Sequence, residues 1–313
     1  MAHVERWVRF MRYRPLILFA IAISFYYPIG PKADSQERRT GQINWVEGYI
    51  SAIGEGTATP SGNKVKDQLR AIRAATILAQ RALLETVKGV RIDSQTKVEN
   101  RMAQEDAINT RIEGTIQGAE IVKQNVRWEG DTPFATVELR ICLGGFGACK
   151  SERSIVNALA LDQKSEQTNA PSQGLNEIVA KQETIAQKVQ DISYDSSRPV
   201  TGIIFNLQGL FFERVILPVV ITIGDGNKPF TVYSVKSVEP QVIRTYGVIR
   251  YADSVEKARQ NPQLGDNVIV VPASGITKEN MIMIGFDAAR IIRETTSHGN
   301  DYLKSAKVMI VAK

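Results

Sequence analysis

A long amphipathic segment over residues 64–88 constrains the fold of this chain more than any other sequence feature. Its apolar and small residues recur at steps of three and four, which is the spacing of one face of an α-helix. This row consists of Val65, Leu69, Ile72, Thr76, Ala79, Leu83 and Val87. Several alanines favour the helix and allow close packing, and Gly89 is suited to end it. The segment predicts one long helix whose arginines and lysines form either a solvated side or a partner-binding side.

The segments around this helix alternate in the manner of β-strands. Residues 42–54 alternate before it, and we expect that strand to end at Gly54 and Gly56. A second, shorter helix is predicted near residues 102–114, followed by a hairpin over residues 115–142. The order strand, long helix, short helix, strand, strand predicts a two-layer α+β sandwich.

A change in composition near residue 151 separates two parts of the chain. Residues 151–198 are rich in polar residues and almost lack aromatic ones, which indicates a linker that is partly helical. Beyond it, apolar β-rich segments and turn signals predict a second mixed domain. Its strands are predicted at residues 200–207, 215–223, 230–235, 242–251, 268–271 and 306–312, and its helices at residues 254–260 and 284–295.

The predicted fold class is therefore α+β, in two small domains. The first covers residues 42–150 and the second covers residues 199–313. Each is expected to be a two-layer α/β sandwich, in which a long helix covers an antiparallel or mixed sheet. The polar segment over residues 151–198 joins them.

The first 33 residues have the order of an export signal. Four arginines among residues 1–15 precede an apolar run over residues 16–27, and Pro28, Gly30 and Ala33 follow. The run is shorter than the roughly 20 residues that span a bilayer. We expect residues 1–33 to be a signal peptide removed after Ala33, so that the protein is periplasmic. The alternative is an uncleaved N-terminal anchor, which would be the contact with the membrane.

Two cysteines, Cys142 and Cys149, are present in the sequence. A close, even pair in an exported chain favours a disulfide, and the three glycines between the cysteines allow the loop to close. The alternative is a pair of reduced thiols at strand ends. Two thiols without a nearby histidine are too few for a zinc site, and their spacing is not that of a redox Cys-x-x-Cys motif. We expect a disulfide and no metal site.

Residue types that carry catalysis are scarce or scattered. His3 lies in the leader, and His298 lies in a predicted polar turn with no pattern of a nucleophile–histidine site around it. The glycine pairs at residues 54–56 and 224–226 lack the full Gly-x-Gly-x-x-Gly spacing of a phosphate loop. We expect no catalytic residue, no cofactor and no enzymatic activity. The apolar cluster at residues 209–214 predicts either an exposed contact patch or a buried bend.

The charge pattern argues against nucleic acid as a partner. The net charge of +6 comes in part from the arginines of the leader, and the remaining basic residues are interleaved with acidic ones. A nucleic-acid-binding protein is expected to concentrate its basic residues in a patch or stripe.

Several motifs of the first domain resemble the LPP20 lipoprotein family, which is similar to the N-terminal domain of the flagellar assembly protein T. They are Trp-Val-Glu-Gly-Tyr at residues 45–49, Ala-Ile-Gly-Glu-Gly at residues 52–56 and Leu-Leu-Glu-Thr-Val-Lys-Gly-Val at residues 83–90. The resemblance covers roughly residues 42–142. It implies an envelope protein of a two-membrane bacterium with a non-enzymatic role in assembly or scaffolding, around the flagellar basal body in particular. It supplies no catalytic residues. The chain has no cysteine near its leader, so the lipid anchor of the lipoprotein members is not expected.

The leading hypothesis is an exported protein whose domains bind other envelope proteins, with flagellar basal-body components and a second copy of the chain among the candidate partners. One alternative is a periplasmic binding module for a small cell-wall or lipid fragment. Another is a hydrolase whose carboxylates meet only in the folded chain.

Overall fold

The computed structural model describes residues 41–145, 149, 153–160, 192, 194–207, 209–224, 228–296 and 300–312. Within these residues it contains a four-stranded sheet, a seven-stranded sheet and several helices, which confirms the α+β class and the two domains. Three expectations concern residues outside this description: the leader over residues 1–33, most of the linker, and His298.

The first domain comprises the described residues between 41 and 160. Its strands are β1 (Gln42–Asn44), β2 (Tyr49–Thr57), β3 (Glu120–Glu129) and β4 (Thr132–Cys142), and its helices are α1 (Lys64–Gly89), α2 (Val98–Gln104), α3 (Asp106–Gln117) and α4 (Ile155–Ala158). The strands form an antiparallel sheet in the order β1–β2–β4–β3. The predicted hairpin is confirmed as β3 and β4, which turn at Gly130 with a φ of 60°.

Helix α1 packs closely on β2 and β4 through small side chains. Its buried row takes steps of four and consists of Asp67, Ala71, Ala75, Ala79, Leu83 and Val87. A Cβ added at Gly54 would lie 2.0 Å from the carbonyl oxygen of Ala75, and one added at Gly56 would lie 2.3 Å from the amide nitrogen of the same residue. Both glycines therefore lie inside β2, where they allow the helix to approach, and the strand ends at Thr57, one residue beyond the predicted end at Gly56.

The predicted buried face of α1 is wrong at its N-terminal end. Val65 is 70% exposed and Leu69 is 60% exposed. The predicted row takes alternating steps of three and four, whereas a row with steps of four rotates by about 40° at each step and crosses the sheet obliquely. The two rows coincide only from Ala79 onward.

Two other predicted elements are divided in the structure. The single strand over residues 42–54 is a hairpin of β1 and β2, because Gly48 turns the chain with a φ of 72°. The single short helix is the pair α2 and α3, which is interrupted where Glu105 adopts an extended conformation.

Part of the predicted linker packs into the first domain. Among residues 153–160, four apolar residues are buried. Helix α4 in this stretch packs against α3, where Nε of Arg111 donates a hydrogen bond to the carbonyl of Ala158 at 2.9 Å. This stretch is thus a structural part of the fold.

The second domain comprises the described residues from 194 to 312 and is built on a mixed sheet. Its strands are β5 (Gly202–Asn206), β6 (Val220–Ile223), β7 (Pro229–Tyr233), β8 (Arg250–Ala252), β9 (Val268–Ile276), β10 (Ile282–Ile284) and β11 (Val308–Val311). They are ordered β7–β6–β10–β9–β5–β11–β8. The four strands from β9 to β8 are parallel, β6 is parallel to β10, and the remaining two pairs are antiparallel.

The central strands of this sheet are buried on both faces. Alternate residues of β5 and β11 belong to different hydrophobic clusters, so that Ile203 and Ile204 face opposite sides. The helices are α5 (Pro240–Tyr246), α6 (Val255–Arg259) and α7 (Phe286–Thr296). Helix α6 covers one face, and α5 and α7 contribute to the cluster on the other. Short helices therefore cover this sheet, in place of one long helix.

Residues 242–246 form a helix and not the predicted strand. Pro240 occupies the first turn of α5, a position that proline favours because its missing N–H has no partner within the helix. Only the end of the predicted strand forms β8. The strand β10 was not predicted, whereas α6 and the strands β5, β9 and β11 are confirmed.

The two domains pack directly against each other. The amides of Ile216 and Leu217 donate to the carbonyls of Arg91 and Ile92 at 3.1 and 2.7 Å. Arg91 also forms an ion pair of 2.6 Å with Glu213. Buried residues of both domains belong to one continuous hydrophobic cluster.

Cys142 and Cys149 form the predicted disulfide, with their Cα atoms 5.3 Å apart. The loop that it closes contains Gly145, which lies against α5. A Cβ added at Gly145 would lie 1.6 Å from the carbonyl oxygen of Thr245. Gly145 therefore lies in the interface between the domains.

Candidate interaction surface

Candidate metal ligands do not form a cluster among the described residues. Within the described ranges, no group of three His, Cys, Asp or Glu side chains is arranged to hold a metal ion. Glu47 and Glu55 are exposed. Gly54 and Gly56 lie inside β2 and against α1, so this glycine pair does not form a phosphate-binding loop.

A small cavity lies between the domains and is lined by apolar residues. Trp45 and Leu143 contribute from the first domain, and Ile216 and Tyr251 contribute from the second. Its volume of about 10 Å³ is comparable with the space for one water molecule, whereas pockets for small ligands measure roughly 300–1,000 Å³. This cavity is too small for a cell-wall or lipid fragment.

The carboxyl ends of the parallel strands are covered by the chain itself. In parallel sheets this edge commonly holds the ligand. Here Arg214 donates to the carbonyl of Ala312 at 2.8 Å and lies 3.6 Å from Asp253. The predicted cluster at residues 209–214 is divided, since Phe212 is buried while Phe211 is 91% exposed.

A buried arginine stabilises the second domain from within. Nη1 of Arg250 donates to the carbonyl of Ala306 at 3.0 Å, and the guanidinium lies 5.8 Å from the ring centroid of Tyr246. Burial lowers the pKa of Arg250 to about 10, so it is charged at neutral pH. Burial raises the pKa of the neighbouring Tyr233, whose hydroxyl donates to the carbonyl of Val248. These contacts indicate a structural role.

Strand β3 is the most exposed strand of the first domain. It lies at an edge of its sheet and pairs only with β4. Its residues are exposed, apart from Val126 and Trp128, which are half-buried. Since α1 packs mainly over β2 and β4, it leaves β3 uncovered. Edge strands of this length present unpaired N–H and C=O groups to any extended segment that approaches.

A β-bulge limits the part of β3 that is regularly paired and could accept a further strand. The register with β4 shifts between Ile121 and Lys123, and pairing is regular from Lys123 to Glu129. Bulges are one of the means by which proteins prevent unwanted pairing at an edge. The regular part, residues 123–129, is called the β3 edge below.

The two faces of the β3 edge differ. Gln124 and Val126 pair with buried residues of β4, so they lie on the side of α1. Lys123, Asn125 and Arg127 lie on the opposite side. This surface was not predicted, because a hairpin pattern does not show which arm pairs with β2. The largely polar composition of β3 beside the alternating β4 was the available signal.

No helix among the described residues has both the length and the apolar character that crossing a membrane requires.

Two family models match the chain, and each corresponds to one of the domains. Residues 40–140 match the LPP20 lipoprotein family, which confirms the resemblance for the first domain. Residues 202–313 match the second domain of Treponema pallidum Tp0624. Neither model is that of the flagellar assembly protein T, and no curated protein matches the chain. The first domain is thus similar to LPP20 lipoproteins, and the second domain is similar to the second domain of Tp0624.

Proposed function

We propose that the chain is an exported, envelope-associated protein with a non-enzymatic structural or assembly role, and that it acts by binding other envelope proteins. The match of residues 40–140 to a family of lipoproteins supports export and association with the envelope. The leader over residues 1–33 supports the same conclusion, because it has the charge and apolar order of an export signal.

The observation that carries this proposal is the exposed β3 edge. A partner that supplies an extended segment would extend the antiparallel sheet of the first domain by one strand. Main-chain hydrogen bonds would provide affinity, and alternate side chains would provide specificity. Lys123 and Arg127 lie on one face, although Arg127 is already 2.8 Å from Glu129. Acidic residues on the partner strand opposite Lys123 would be favoured.

Site-specific photo-crosslinking in intact cells tests this surface. A photoreactive amino acid at Asn125 is expected to give discrete adducts with envelope proteins. The same amino acid at Gln260, exposed in the second domain, serves as the control. Adducts at Asn125 that match those at Gln260 would contradict the proposal.

A matched pair of substitutions makes the test sharper. Gln124→Lys adds a charge beside the pairing surface, whereas Gln260→Lys makes the same change at an exposed site elsewhere. Charged side chains at an edge oppose strand addition. We expect Gln124→Lys to weaken the adducts at Asn125 and Gln260→Lys to leave them unchanged.

Flagellar basal-body components are the first class of partner to test. The expected similarity of the LPP20 family to the N-terminal domain of the flagellar assembly protein T motivates this choice, although neither matching family model is that protein. A fluorescent fusion that remains functional in the periplasm is expected to form foci that coincide with flagellar motors. A uniform fluorescence around the cell would contradict a flagellar role and leave a role elsewhere in the envelope.

A further inference from the structure

The N-terminal part of α1 carries a second exposed surface, which differs from the β3 edge in being both basic and apolar. Val65 and Leu69 are among the most exposed large apolar residues of the described chain, although they lie one helical turn apart on a well-formed helix. Four basic residues surround them. The basic–apolar patch consists of Lys64, Val65, Lys66, Leu69, Arg70 and Arg73.

The positive charge of this patch is only weakly compensated. Lys64 lies 3.8 Å from Asp131, with its side chain 71% exposed, and Arg70 lies 3.9 Å from Asp67. Lys66 and Arg73 form no ion pair within the part of the chain that the structure describes. Four cations therefore face solvent against two carboxylates at the limit of ion-pair distance.

The carboxylate of Asp67 does not belong to the exposed patch. Asp67 is buried, and its Oδ2 accepts a hydrogen bond from the amide of Ser61 at 2.7 Å. This bond, together with the nearby Arg70, lowers the pKa of Asp67, which is thus ionised at neutral pH. Asp67 holds the loop before α1 and leaves the surface to basic and apolar side chains.

The patch lies at the end of the first domain that is farthest along α1 from the second domain. The helix has 26 residues and is about 39 Å long. At its C-terminal end the chain continues to Arg91 and Ile92, whose carbonyls accept hydrogen bonds from the second domain. At its N-terminal end, Lys64 lies over the ring of Trp128 beside the β3–β4 turn. The patch and the contact with the second domain therefore lie at opposite ends of α1.

We infer that this patch docks the protein on an anionic phospholipid bilayer. Basic residues near an anionic surface each contribute about 1 kcal/mol of attraction, and exposed aliphatic side chains between them enter the boundary between headgroups and acyl chains. Two aliphatic residues without an aromatic anchor are a poor centre for a protein interface, and the hollow of about 380 Å³ beside them is wide open to solvent. This contact is separate from the leader and does not depend on the β3 edge.

A local fluorescent probe tests this docking in the full-length protein. An environment-sensitive fluorescent amino acid at position 69 is expected to shift its emission to the blue when vesicles of phosphatidylethanolamine and phosphatidylglycerol are added. It should not shift with vesicles of phosphatidylcholine alone. The same amino acid at position 211, which is exposed in the second domain, is the control for an unspecific response. Because the probe reports its own surroundings, an anchored leader does not produce the signal.

Charge reversal supplies the second arm of the test. The double substitution Lys66→Glu, Arg73→Glu is expected to weaken vesicle binding. The lipid concentration that gives half of the emission shift at position 69 should rise at least about tenfold. Lys236→Glu with Lys257→Glu, at exposed sites of the second domain, should leave the response unchanged. Circular dichroism verifies that both variants are folded.

Any one of four results with vesicles would overturn the inference. These are an absent shift at position 69 with anionic vesicles, an equal shift with phosphatidylcholine, an equal shift at position 211, and an unchanged response in the Lys66→Glu, Arg73→Glu variant. A shift that depends on protein concentration without vesicles would assign the patch to a second copy of the chain and would also overturn it.

Discussion

Trp45 of the first domain packs edge-on against Tyr251 of the second, with ring centroids 5.5 Å apart and an angle of 75° between the rings. The hydroxyl of Tyr251 donates to the carbonyl of Val215 at 2.7 Å and accepts from its amide at 3.1 Å. One side chain thus fixes the loop after β5 and contacts the first domain. The domains are joined by side chains that are buried together.

Removing the Tyr251 hydroxyl should destabilise the protein. Tyr251→Phe keeps the ring and leaves both backbone groups of Val215 without this partner in a buried site. We expect a loss of about 1–3 kcal/mol in the free energy of unfolding, measured by urea denaturation. Tyr49→Phe is the control, since among the described residues its hydroxyl accepts a single long bond, of 3.4 Å, from Asn44. An equal effect of the two variants would show that the Tyr251 hydroxyl contributes little.

A side chain at Gly54 should force α1 away from the sheet. In Gly54→Ala, the new Cβ would lie 2.0 Å from a backbone oxygen of α1, which no side-chain rotation relieves. Overpacking of this kind costs about 1–3 kcal/mol, and we expect a lower thermal midpoint. Gly114→Ala lies in α3 with open space around it, and it should raise stability by about 0.5–1 kcal/mol. An unchanged thermal midpoint in Gly54→Ala would contradict the close packing of α1 on β2.

Loss of the disulfide should reduce stability by an amount set by its small loop. Closing the loop between Cys142 and Cys149 restricts the unfolded chain, which corresponds to about 2–3 kcal/mol. The Cys142→Ser, Cys149→Ser variant should therefore unfold at lower urea concentration than the parent. Dithiothreitol should lower the urea midpoint of the parent to that of the variant and leave the midpoint of the variant unchanged. Labelling of two thiols in the unfolded, unreduced parent would contradict the bond.

Low pH should reduce the stability that Asp195 contributes at the start of the second domain. Hydrogen bonds from the hydroxyl of Ser197, then from Arg198, lower the pKa of Asp195 from 3.8 to about 2. Because the folded value is the lower one, the stabilisation is complete above about pH 4 and disappears as the pH falls through 2. The urea midpoint should therefore fall less steeply between pH 5 and 2 in Asp195→Asn than in the parent. Parallel pH profiles would exclude this contribution.

The mature protein should begin near Asp34. A signal peptide that ends at Ala33 is removed during export, whereas an anchor stays attached. Mass spectrometry of the protein isolated from the envelope fraction distinguishes the two forms. An intact Met1 would establish the anchored alternative.

Local patterns predicted many of the elements. The steps of three and four in α1, the alternation in β4 and the turn signal between β3 and β4 depend on neighbours in the chain, and these elements appear where expected. The close pair of cysteines likewise predicted its own bond. Periodicity gave a wrong prediction where one segment was compatible with both a strand and a helix. Residues 242–246 have the apolar pattern of a strand, but they form a helix that begins at Pro240.

The sequence by itself determined the alternating element types of this protein, the position of its longest helix and its disulfide. Only the tertiary structure decided that β4 lies between β2 and β3, which leaves the β3 edge open. It also decided that α1 crosses the sheet on Gly54 and Gly56, which turns Val65 and Leu69 to solvent. The reason is physical: periodicity records which residues share a face, whereas strand order and crossing angle arise from contacts between distant segments that no local pattern encodes.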